Sequence, residues 1–227
     1  MSTPARRHRQ HVLARKAAAA ADPGQSMEGS TEYELMLAKL YEDRRRLSAI
    51  QSLERKVEVK RELLPDYNAW IAGVLSGGTG AQDNVLTTIM VWHVDVGNYE
   101  QALTIGAYVL RHGLTLPDQY ERTPATVLVD EIAAAALAAQ ADGTLFSLDV
   151  LQNLDELTAA QDMPDQARAK LHRALGNACR AENDLAAAAQ HYERALQLHP
   201  RVGCKRDLTE VQKQLAQQFE QGGPASD

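Results

Sequence analysis

A chain of 227 residues, 44% hydrophobic but only 5% aromatic, can bury a sizeable core, and its many alanines favour closely packed helices over sheets. Two cysteines, Cys179 and Cys204, are too few for a disulfide framework and suit a reducing compartment. The net charge of −6 conceals an asymmetry: residues 1–62 carry 13 Lys/Arg against 9 Asp/Glu and residues 63–227 carry 11 against 21, so one end suits a polyanion and the rest does not.

No apolar run reaches the roughly 18 residues of a membrane span, and the basic amino terminus lacks the apolar core of a secretory signal. Residues 5–21 have high helix propensity and carry Arg6, Arg7, Arg9, Arg15 and Lys16. The stretch DPGQSMEGS (22–30) breaks any helix, so residues 1–30 are expected to be a basic flexible arm and linker. Thr31 and Glu34 have the spacing of a capping box. From there a helix is predicted to run unbroken to Leu64, where Pro65 stops it, a length of about 50 Å at 1.5 Å per residue.

Apolar residues recur along 31–64 at Tyr33, Met36, Leu40, Leu47, Ile50, Val57 and Leu64, in heptad-like steps interrupted by Asp43, Glu54 and Arg61. This predicts packing on a partner helix, with the seam as a subunit contact. On a continuous helix Arg45, Lys56 and Lys60 would share one meridian, with Arg44 and Arg55 in a neighbouring row. Those cations are candidate phosphate contacts, since Lys and Arg displace the counterions of nucleic acid. A solvated face with pairs to Glu42, Glu54 and Glu58 is the plain alternative.

Beyond Asp66, Gly and Pro breaks predict helices near 66–76, 81–96, 98–112, 124–141, 147–160, 164–182, 184–198 and 203–219. Residues 169–200 resemble a tetratricopeptide unit, with Leu175-Gly176, Ala188, Tyr192, Ala195 and Pro200 at the repeat's spacing. Small residues at Gly176 and Ala188 would let two antiparallel helices approach, with Tyr192 filling the gap. His172 and Cys179 stand where the repeat usually has aromatics. GNYEQALTIGAYVL (97–110) echoes half of such a unit. The expected fold is therefore all-α: a long N-terminal helix (31–64), a helical-repeat body (65–205) with a TPR-like C-terminal unit, and a helix end with a short tail (206–227). Such arrays usually hold partners.

Gly77, Gly78 and Gly80 invite comparison with a phosphate loop. Gly80 is followed by Ala81 and Gln82 where a Walker loop needs Lys and Ser/Thr, and no strand precedes it. The glycines read as a hinge between helices. Nuclease chemistry would need carboxylates converging on a divalent metal. Asp83, Asp95, Asp130, Glu131, Asp162 and Asp165 are candidates but form no recognisable array, and His191 and His199 lack a third ligand. No metal site and no cofactor is expected.

The blocks Gly80-Ala81-Gln82-Asp83, Gly113-Leu114 with Pro117, Arg122-Thr123-Pro124 and Asp162-Met163-Pro164-Asp165 together resemble the small terminase subunit of tailed phages, the GpM type. The resemblance spans most of the chain. It implies an all-helical protein of the host cytoplasm that binds double-stranded viral DNA at a cohesive-end site. It also implies a large subunit carrying the ATPase motor and nuclease, and a homo-oligomeric ring. Members are also described as the endonuclease subunit, which would call for Mg2+. A pure interaction scaffold using the tetratricopeptide-like groove is the third alternative. The tail QFEQGGPASD is short and not basic, unlike the Lys/Arg-rich tails of some members.

Overall fold

The computed structural model describes residues 3–20, 31–117 and 121–221, apart from the side chains of Arg6 and residues 219–221. Among these it contains eleven α-helices, one short 3-10 turn and no β-strand. The contacts divide the chain into two compact units, 1–128 and 129–227, a boundary inside one helix where the sequence reading placed none.

The first unit begins with α1 (Pro4–Ala20), α2 (Thr31–Ser48) and α3 (Leu53–Leu63), followed by a 3-10 turn (Leu64–Asp66). The single long helix expected over 31–64 is thus two helices. Ser48 Oγ donates to the Arg45 carbonyl at 2.8 Å, competing with the helical ladder. Ser52 then caps α3 by accepting from the Arg55 N–H at 3.2 Å. Folding back buries Val59 and Leu63, and this burial outweighs the helix propensity of Ala49–Gln51. Arg46 pairs with Glu62 across the hairpin at 3.2 Å.

α4 (Asn68–Gly77), α5 (Asn84–Asp95) and α6 (Tyr99–Arg111) complete the unit with the start of α7 (Pro124–Ala141). Every residue of α5 from Val85 to Val94 is buried; a helix apolar on all sides belongs in the middle of a core. The Tyr33 and Trp70 rings lie tilted with centroids 6.1 Å apart, and Tyr67 and Trp92 meet in a T-shaped arrangement with centroids 6.0 Å apart. Asp43, which interrupts the apolar row, accepts from the Tyr67 hydroxyl at 2.7 Å and from Lys39 at 2.6 Å.

Residues 4–20 are a docked helix and not the flexible arm expected; residues 21–30 lie outside the described residues. α1 packs along α4. A Cβ added at Gly73 would sit 2.5 Å from Ala14 Cβ and 2.6 Å from the His11 carbonyl, and one at Gly77 would sit 2.4 Å from Arg15 Cγ. The close approach exists because those atoms are missing. The following loop finishes the joint. Thr79 donates its hydroxyl to the Ala18 carbonyl at 3.1 Å, and Gly80, at φ +90°, donates its N–H to the Tyr108 hydroxyl at 3.0 Å. The glycines seat α1 and tie its carboxyl end to α6; they are not a free hinge.

The second unit continues α7 and adds α8 (Leu148–Thr158), α9 (Asp165–Ala181), α10 (Leu185–Leu198) and α11 (Lys205–Gln221). Residues 222–227, the tail expected to be disordered, lie outside the described residues. α9 and α10 form the expected tetratricopeptide-like hairpin. A Cβ at Gly176 would meet the Tyr192 ring at 2.5 Å, Ala188 and Ala195 are fully buried, and Asn183 takes the left-handed turn at φ 64°. The Tyr192 hydroxyl donates to Asn177 at 2.8 Å, and Asn177 donates to Gln140 at 2.8 Å. Arg168 closes α8 onto α9 by donating to the Thr158 carbonyl at 2.6 Å. α7 is long and apolar enough by length and composition to cross a membrane, but Val127, Leu128, Val129 and Ile132 are core residues.

Gly73→Val tests the α1–α4 joint. The added methyls have no room, and overpacking of this kind costs about 1–3 kcal/mol. α1 should detach: limited proteolysis is expected to cut within residues 5–20 much faster than in the unaltered chain, while the body still melts cooperatively.

Candidate nucleic-acid interface

α1 has no acidic residue along its 17 positions. Arg7, Arg9, Arg15 and Lys16 are exposed, while Ala14 and Ala18 face α4 and are buried. The helix therefore splits into an apolar side that seats it and a cationic remainder in water. Arg6 belongs to the same helix, with its side chain outside the described residues.

The second predicted group is rearranged by the break in the long helix. Arg44 and Arg45 lie in the last turns of α2, and Arg55 and Lys56 in the first turn of α3, so the pairs flank the exposed turn 49–52. They cannot share the meridian of one continuous helix. Arg45 and Lys56 make no ion pair among the described residues. Arg55 is paired with Glu58 at 2.7 Å, and Lys60 is tied to Asp95 of α5. Lys60 is thus a strut between helices with most of its side chain covered.

The seam predicted to join subunits is largely internal. Tyr33, Met36, Leu40, Leu47 and Leu64 are buried within the subunit's own core, and Ile50 and Val57 are partly accessible. Five of the seven residues have little apolar surface left to offer a neighbour, none being more than 7% exposed. The missed signal was the second apolar row, Val59 and Leu63, which turns the same segment back on itself.

The candidate nuclease carboxylates are dispersed. Asp83 is fully buried as the N-cap of α5, accepting from the Val85 and Leu86 N–H groups at 2.8 and 2.9 Å and from Trp70 Nε1 at 2.9 Å. Asp95 holds Lys60, and Asp130 holds Lys170 at 2.9 Å. Among the described residues no three His, Cys, Asp or Glu side chains are grouped so as to hold a metal ion. The donor set does not fit Mg2+, which needs oxygens converging at close range.

Comparison with known proteins decides the family. The family model described as phage small terminase subunit matches residues 37–166. The chain is 42% identical over 215 residues to a protein of Escherichia phage P2 named "Terminase, endonuclease subunit", covering 95% of this chain and 86% of that protein. The chain belongs to the phage small terminase subunit family. A tetratricopeptide repeat model matches residues 169–202, the α9–α10 hairpin and the turn after it. No solved structure matches. Within this small terminase subunit the family model's match begins at residue 37, inside α2, while the match to the P2 protein covers 95% of the chain.

Buried titratable groups set how the fold responds to pH. Burial pushes the Asp83 carboxyl up from 3.8 to about 6, against the pull of its backbone and Trp70 donors. Burial lowers His93 from 6.5 to about 4, and neither of its ring nitrogens has a partner among the described residues. His172 and His191 meet Nδ1 to Nδ1 at 3.2 Å, and both are lowered chiefly by burial, His172 to about 4. The contributions of His93 and His172 are complete above about 6.5 and are lost as pH falls towards 4, and that of His191 is lost in the same direction; that of Asp83 is complete below about 3.8 and is lost as pH rises through 6. Three histidines oppose one carboxylate, so the melting temperature is expected to fall by several degrees from pH 7 to 5, and His93→Leu to flatten that slope. A slope unchanged by His93→Leu would count against its burial as the cause.

Proposed function

We propose that this small terminase subunit recognises double-stranded viral DNA at its cohesive-end packaging site and delivers it to a large subunit that carries the ATPase motor and nuclease. It does so in the host cytoplasm as a homo-oligomer and needs no cofactor of its own. The observation that carries the reading is α1: a helix with no anion, anchored by Gly73 and Gly77, with its described cations in water. Fixed cations neutralise phosphates without first being ordered. Arg45 and Lys56, unpaired beside the 49–52 turn, supply a second set, with Arg44 and Arg55 beside them.

The reading predicts that Arg7→Glu, Arg9→Glu, Arg15→Glu and Lys16→Glu together weaken binding to cohesive-end duplex and flatten its salt dependence by up to about 0.9 log–log slope unit per lost phosphate contact. Titrations between 50 and 200 mM salt measure this. Arg45→Glu with Lys56→Glu should act in the same direction. Lys60→Glu should mainly lower thermal stability, because it breaks the tie to Asp95. A slope unchanged by the four α1 reversals would remove α1 from the interface.

The name of the P2 relative favours a second reading, in which this chain itself cuts the cohesive-end site. Mixing the purified protein with that DNA and Mg2+, with and without the large subunit, separates the two. Asp83→Ala bears on it further. It removes a helix cap worth about 1 kcal/mol and leaves Trp70 Nε1 without an acceptor, a further cost of about 1–3 kcal/mol. Its expected effect is a large drop in stability, with DNA binding retained below the new melting temperature.

A further inference from the structure

The second unit is acidic, with 9 Lys/Arg against 15 Asp/Glu in residues 129–227, but its charge is sorted by position. Where α9 ends and α10 begins, a cavity of about 300 Å³ is lined by Leu145, Phe146, Asp149 and Glu182 among others, and by no Lys or Arg. Asp142 and Asp184 are exposed in the adjoining turns. Leu145 stands on this rim with 83% of its surface in water, and also borders a neighbouring cavity lined by Arg180 and Asp207.

The start of α9 and the turn between α10 and α11 hold the converse. A second cavity of about 300 Å³ has Lys170, Arg173, His199 and Arg201 on its rim and no Asp or Glu lining it. Its apolar surface comes from Ala134, Leu137 and Val202. Arg173 is held in place by donating to the Val202 carbonyl at 2.8 Å, and its Nε is buried without a partner among the described residues. Lys170 keeps Asp130; Asp162 and Asp165 near this end do not line the cavity. Lys170 in α9 and Glu182 just past its end are twelve residues apart, about 18 Å at the helical rise.

A socket this small does not admit a duplex, whose phosphates in any case offer nothing to an apolar floor. A leucine among carboxylates fits both its floor and its rim. We infer that the second unit makes a head-to-tail contact between copies, in which Leu145 and the acidic rim of one subunit enter the Lys170–Arg173–Arg201 socket of the next. The two surfaces differ, so the contact is heterologous and adds subunits in one direction until a ring closes. This rests on the homo-oligomer in the proposed function and moves its interface from the α2–α3 row to the second unit.

The test is the mass of the full-length protein by light scattering, with DNA affinity measured in parallel. Leu145→Asp and Arg201→Glu should each shift the association midpoint to at least tenfold higher concentration. The double variant Asp149→Lys with Glu182→Lys should do the same. Mixing that double variant with Arg201→Glu should restore assembly, because each altered surface then meets its complement, and a misfolded variant could not do so. Unchanged mass in all single-surface variants, or no recovery on mixing, would overturn the inference while leaving the oligomer standing. A wild-type protein that stays a single subunit at tens of micromolar would overturn both the contact and the oligomer, with DNA binding judged separately. If Arg201→Glu leaves mass unaltered but weakens association with the purified large subunit, that protein is the occupant and self-contact is wrong.

Discussion

The approach of α1 to α4 depends on two absent methyl groups. With Gly73 and Gly77 lacking Cβ atoms, the backbones come near enough for Ala14 and Ala18 to be buried and for Thr79 to reach the last turn of α1. α1 itself has little else to hold it, since much of its remaining surface is cationic or alanine. The same loop engages Tyr108 of α6, so the seat of the basic helix is continuous with the core. A segment rich in cations is in this way given a defined orientation.

The core beneath that seat is organised around α5. Because α5 is buried on every side, its first N–H groups have no water to turn to, and an unsatisfied pair would cost several kcal/mol. Asp83 answers them and Trp70 together, while Tyr33 accepts from Asn84. An acidic residue that could be mistaken for catalytic equipment is a fastener between α4 and α5. Asp43 and Asp95 act in similar ways, one closing on Tyr67 and Lys39, the other on Lys60. These three carboxylates are spent on architecture, each holding a neighbouring helix or its cap.

How much of this could be read from residues alone depended on whether the deciding contact was local. The helices after Asp66 were legible because Gly, Pro and Asn-Asp breaks punctuate them, and the α9–α10 hairpin because Gly176, Ala188 and Tyr192 sit at fixed offsets. The turn at 49–52 was hidden: no Gly or Pro marks it, and only the tertiary gain from burying Val59 and Leu63 makes the chain fold back. That one break undid the shared meridian of Arg45, Lys56 and Lys60 and turned five seam residues inward. The docking of α1 did leave a trace, since Ala14 and Ala18 match the four-residue spacing of Gly73 and Gly77. Small-residue spacing of this kind identifies neither partner nor direction, so the basic segment read as a loose arm. The burial of Asp83 left no trace, because N-cap and active-site aspartates look alike in one dimension.

Cys179 and Cys204 are both buried, and burial raises both thiols above their ordinary range. At neutral pH the reactive thiolate is therefore scarce and sheltered from reagents. The native chain offers little to maleimide dyes or spin labels. A single cysteine introduced on the outer side of α1 could then carry a fluorophore alone, with no need to strip the endogenous sulfurs from the fold.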